Sequence, residues 1–131
     1  MRKIDKIVVH CSATPDSRDI GSQAIDRCHR FQGWSGIGYH YVIRKNGVIE
    51  LGRPIEKIGA HVKGANSSSI GICVIGSTKF NEKQFESLRT LVNSLKSIFG
   101  TLNIYPHNFF PSAKKQGKTC PNFDVKEALN G

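Results

Sequence analysis

Three of the nine histidines and cysteines in this 131-residue chain occupy positions where chemistry is a natural use for them. His10 stands next to last in the run KIVVHC, which is followed directly by a polar loop, SATPDSRD. His107 follows Pro106 at the head of the stretch PHNFFPSAKKQGKTCP, and Cys120 stands near its end, between Lys118 and Pro121. A catalytic zinc site takes about three protein ligands, commonly imidazole nitrogen or thiolate sulfur, and leaves a fourth position for water. Loop closure can return His107 to Cys120. Residue type alone leaves the set open, because scattered histidines are usually surface or hydrogen-bonded core groups and a cysteine can be a small buried hydrophobe.

The other cysteines have plainer readings. Neighbouring side chains on a strand point to opposite faces, so Cys11 is expected in the core if His10 faces a site. Cys28 falls on the apolar face of a helix and Cys73 inside an apolar strand, where both read as inert. The wide, irregular spacings and the absence of a CxxC pair argue against a disulfide framework or a zinc ribbon.

The elements that must carry these residues are read from periodicity. IDKIVVHC, residues 4–11, is a strand. Ser22 can cap a helix over 23–32 with Ala24, Ile25, Cys28 and Phe31 on one face, ended by Gly33. Residues 38–52 form a hairpin turning at Asn46-Gly47, and SIGICVIG is a buried central strand. Asn81 with Gln84 makes a capping box, and Phe85, Leu88, Leu91, Val92, Leu95, Ile98 and Phe99 mark one face of the following helix. TLNIY is a last strand, and Asp124 with Glu127 can cap a short terminal helix. Residues 106–121 read as the longest irregular stretch. The fold class expected is mixed α/β (α+β): a single central mixed sheet of about five strands flanked by about three helices, in one domain spanning residues 1–131.

Composition narrows the function. With 38% hydrophobic and 22% charged residues the chain reads as a soluble globular protein, and no window approaches the roughly 18 apolar residues of a membrane span. The apolar region of a secretory signal is missing, so residence in the cytoplasm is expected. The net charge of +9 implies a polyanionic partner such as nucleic acid, anionic lipid or an acidic wall polymer. No RNP-type aromatic motif or basic recognition helix supports a dedicated nucleic-acid binder. GANSSSIG precedes a strand and lacks a GKS or GKT ending, which excludes a phosphate loop.

Four segments, in order, change this picture: IVVHCSATP, GWSGIGYHYVIRKNGVIELGRP, IGAHVKGANSSSIGICVIG and KTCPNFDV. Together they resemble the type 2 N-acetylmuramoyl-L-alanine amidases, the zinc amidase and peptidoglycan-recognition superfamily, and look most like its small phage endolysins. The resemblance spans about residues 5–126. It implies one zinc ion per chain, held by His10, His107 and Cys120, and hydrolysis of the amide joining N-acetylmuramic acid to L-alanine in peptidoglycan. It implies catalytic roles for Tyr39 and Lys118, and substrate-groove positions for His61 and Asn66. His29 and His40 receive no chemistry. The loop before Cys120 is longer and richer in lysine than its counterpart in the smallest relatives.

The same resemblance implies a phage or prophage bacteriolytic hydrolase that waits in the cytoplasm for release through a holin-type pore. A monomer is expected, with peptidoglycan as partner, no specific nucleic acid, no membrane insertion and no separate wall-binding domain. Two alternatives remain. One is a recognition module that binds peptidoglycan without cutting it, whose common sign is loss of the cysteine present here as Cys120. The other is a basic nucleic-acid-binding protein with structural zinc.

Overall fold

The computed structural model describes residues 1–131. Five strands form one sheet: β1 (Lys6–Cys11), β2 (Tyr41–Ile43), β3 (Ile49–Leu51), β4 (Ser69–Val74) and β5 (Asn103–Pro106), in the order β3-β2-β4-β1-β5. β2 and β3 pair antiparallel through the turn at Gly47, whose φ of +88° suits glycine, and all other pairings are parallel. Four helices accompany the sheet: α1 (Ser22–Phe31), α2 (Glu82–Phe99), α3 (Pro111–Lys115) and α4 (Val125–Asn130). The mixed sheet is as expected from the sequence. α3 and a 3-10 turn at His107–Phe109 are not, because both lie in the stretch read as irregular. Pro111, at the helix start with its φ already preset, begins a segment too short for periodicity to register.

Strand alternation sorts the two faces. Ile7 and Val9 of β1, Ile70, Ile72 and Val74 of β4, and Ile43 of β2 pack with Leu88, Leu91, Val92 and Leu95 of α2 in the main core. Each such side chain contributes about 1.5–3 kcal/mol when fully buried. Asn81 caps α2 with the expected reciprocal box, its Oδ1 accepting from the Gln84 N–H at 3.0 Å. The buried Gln84 side chain also donates to the Ile75 carbonyl at 2.8 Å, fastening α2 to the end of β4. Ile98, placed on the buried face by its spacing, is exposed near the helix end.

The opposite face carries Val8 and His10 from β1, Ser69, Gly71 and Cys73 from β4, and Val42 from β2. Smaller clusters cover it: Ile25, Ile37, Val42, Cys73 and Ile75 beside α1, and Val8, Val62 and Ala65 under Phe110. α1 corrects the sequence reading. Its N-cap is Gly21 rather than Ser22, whose N–H donates to Glu50 Oε1 at 2.8 Å. Of its expected apolar face only Ile25 is buried; Cys28 and Phe31 are exposed. A 3.6-residue period identifies a face, but it does not say how far the sheet extends beneath it.

Candidate metal centre

His10 reaches the second face of the sheet near the C-terminal end of β1 and is 1% exposed. His107 begins the turn that follows β5, the other neighbour of β1 on that side. The two ends of the loop from His107 to Cys120 are tied by Asn108, whose N–H donates to the Cys120 carbonyl at 3.0 Å and whose Nδ2 donates to the Thr119 carbonyl at 3.1 Å. One ligand atom each from His10, His107 and Cys120 lies within 4.8 Å of the others. Zinc bonds imidazole nitrogen at about 2.0–2.1 Å and thiolate sulfur at about 2.3 Å, so ligand atoms gathered this closely suit a single shared ion. The donor set, two imidazoles and one thiol with no competing carboxylate among them, suits zinc rather than a hard cation such as calcium or magnesium.

Three rings surround that of His10, with centroids at 4.4 Å for His107, 4.9 Å for His61 and 5.0 Å for Tyr39. His10 is pushed well below the ordinary histidine value by burial, and further by His61 and His107. Burial and then the charge of Lys118 lower His107. All of these changes favour neutral imidazole, the form that binds metal. Burial, reinforced by the sulfurs of Cys73, Cys120 and Cys11, pushes the Tyr39 phenol well above its usual range, so it keeps its proton at neutral pH.

Cys11 is buried, as its strand position implies, yet it also meets the centre. Its backbone N–H donates to Cys120 Sγ at 2.7 Å, a contact that favours the thiolate. A hydrogen bond between the two thiols, together with burial, raises Cys120, while the same bond lowers Cys11 to about 7. Two sulfurs this close cannot both ionise readily. An ion bound to Cys120 would remove that competition by stabilising its thiolate, as metal binding does for any thiol ligand. Strand alternation describes where a side chain points and is silent about the backbone N–H, so sequence reasoning could not find this contact. No disulfide is present.

His61 lies against His10, its Nδ1 2.8 Å from His10 Nε2. Asn66, on the same loop, accepts through Oδ1 from the N–H groups of His61 and Val62, both at 2.9 Å. Ser112 ties α3 to this loop by donating to the Lys63 carbonyl at 3.0 Å. Lys118 is exposed three residues beyond α3, its N–H donating to the Ala113 carbonyl at 2.9 Å. His40 is buried and structural, Nδ1 accepting from the Gly71 N–H at 3.0 Å and Nε2 lying 2.8 Å from the Lys57 carbonyl. His29 Nδ1 accepts from the Gly38 N–H at 3.0 Å, and its ring packs on Trp34.

Comparison with known proteins gives a consistent set of matches. The family model for N-acetylmuramoyl-L-alanine amidase matches residues 1–123. The endolysin of Klebsiella phage KP32 is 37% identical, over 95% of this chain and 85% of its own length. The endolysin of Escherichia phage T7 is also 37% identical, over 93% of this chain and 83% of its own. Among solved structures, the N-acetylmuramoyl-L-alanine amidase LysC from Clostridium intestinale superposes with a TM-score of 0.83 at 32% identity, covering 98% of this chain and 85% of that one.

Proposed function

The chain belongs to the N-acetylmuramoyl-L-alanine amidase family and acts on peptidoglycan as an endolysin-type amidase, and we propose that it does so with one zinc ion held by His10, His107 and Cys120. The observation that carries this reading is the gathering of their three ligand atoms within 4.8 Å, from three separate parts of the sequence. When bound, zinc would act as a Lewis acid toward the amide carbonyl and lower the pKa of a water ligand from about 15.7 toward 7.

The chain's own groups supply the rest. Tyr39, partly buried beside His10 and holding its proton, donates a hydrogen bond to a reacting oxygen in this reading. Lys118, whose charge is felt at His107, supplies a cation for the developing oxyanion or a proton for the leaving amine. The loop bearing His61 and Asn66 borders the substrate groove, its shape held by the Asn66 side chain. The single domain, its action as a monomer, and its wait in the cytoplasm for release belong to the same reading. No helix is long and apolar enough to cross a membrane, and the charge of +9 suits adsorption to an anionic wall.

Elemental analysis of the purified protein tests the metal assignment. One zinc per chain is expected in the wild type and none in Cys120→Ser, with amidase activity in the variant down by more than about 100-fold, since the ion supplies several kcal/mol of transition-state stabilisation. A Cys120→Ser variant that keeps both zinc and activity would overturn it.

A further inference from the structure

We infer that His61 is a positioning residue that selects and aims the metal-binding nitrogen of His10. The inference rests on the zinc reading above, but it concerns a residue outside the ligand set and gives His61 a role different from lining the groove.

His10 Nε2 and His61 Nδ1 are 2.8 Å apart, and two bare lone pairs would repel at that distance, so one of these nitrogens carries hydrogen. On the far side of the ring, His61 Nε2 stands 3.2 Å from the hydroxyl of the buried Ser69. A hydroxyl can donate or accept, so the chain from His10 to Ser69 has two self-consistent arrangements. In one, His10 Nε2–H donates to His61 Nδ1, His61 Nε2–H donates to Ser69 Oγ, and His10 Nδ1 keeps a free lone pair. In the other, every bond reverses and His10 Nδ1 carries the hydrogen. Only the first leaves His10 a nitrogen with which to bind an ion. A metal at the centre therefore sets the tautomer of both rings, and His61 supplies the acceptor that makes this tautomer favourable.

The ring of His61 is also fixed in place. An added Cβ at Gly71 would stand 2.7 Å from its Cγ and Cδ2, and one at Gly59 would stand 2.7 Å from its Cδ2. The imidazole thus fills space that two glycines leave open. Gly71 faces the same side of the sheet as Ser69 and pairs with Val8, two residues before His10. The backbone N–H of His61 is held by Asn66 Oδ1. Both ring nitrogens are already within hydrogen-bonding distance of protein groups, so His61 has none to offer a substrate without breaking the chain. A partner of this kind, orienting a ligand through its second nitrogen, typically changes metal affinity by about 10–100-fold when it is lost.

The test measures the zinc dissociation constant by competition with a chromogenic chelator, together with kcat and KM on a soluble muropeptide. His61→Phe keeps a ring but removes the acceptor. His61→Asn places Oδ1 where Nδ1 stood. Zinc binding about 10–100-fold weaker in His61→Phe, near wild type in His61→Asn, with KM little changed, supports the inference. Cobalt-substituted protein should show an altered visible spectrum in His61→Phe only. Undiminished zinc affinity in His61→Phe with a raised KM overturns it and leaves a groove residue. Wild-type protein that takes up no zinc overturns the zinc reading as well. Should His61→Phe fail to fold, Ser69→Ala decides: zinc binding several-fold weaker supports the chain of bonds, and unchanged binding overturns it.

Discussion

Lys118 is the proposed catalytic group whose loss leaves the three ligand side chains in place. Its charge lowers the proton affinity of His107, while its side chain stays in solvent. Lys118→Ala is expected to reduce turnover by about 10²–10⁴-fold, the usual worth of a positioned acid or base, with zinc content unchanged. Turnover near wild type with zinc bound would remove the lysine from the mechanism. Several single residues were legible in the sequence. His10 was marked by its position at a strand end, and Cys120 by the lack of a core role in its polar loop. Their convergence with His107 came from the resemblance, since no compact spacing joins them. The Cys11 N–H contact was invisible, because a backbone donor leaves no trace in residue type.

Among the elements, β4 does more than fill the core. Gly71 opens the second face of the sheet for the His61 ring, so Gly71→Ala should displace it and cost about 1–3 kcal/mol of stability, as overpacking does. The same variant should also lose zinc affinity, whereas an overpacked site remote from the centre would lose stability alone. Titration with urea and with a competing chelator separates the two. A strand-interior glycine is the sequence signal for such close approach. The capping box of α2 was readable at both partners, and Asn81→Ala is expected to cost about 1 kcal/mol in urea denaturation. A midpoint equal to wild type would contradict the cap. α1 was readable as a helix but not in its burial, because the core cluster it joins stops at Ile25. α3 escaped because five residues give barely more than one turn.

At the scale of the whole molecule, the histidines couple folding to pH. Burial is the leading cause that lowers His10, His29, His40, His61 and His107, with His61 pushed down to about 3. An unfolded histidine titrates near 6.5, so below that pH the unfolded chain binds protons that the folded chain refuses. Stability is therefore fully present above about 6.5 and falls as pH drops from there toward 3. Metal-free protein should show a lower urea midpoint at pH 5.5 than at pH 7.5, and an equal midpoint would contradict this assignment. Zinc should steepen the dependence, since protons compete with the ion for its ligands.

In the proposed mechanism, side chains from three distant segments, carried by one sheet and one tied loop, cut a single bond with the help of zinc. Mass spectrometry of products from purified peptidoglycan, with and without a zinc chelator, tests this mechanism. Stem peptides bearing a free L-alanine amino terminus, lost on chelation and restored by added zinc, are the predicted result. Intact peptidoglycan that merely retains the protein, or the same peptides released regardless of chelation, would contradict the account.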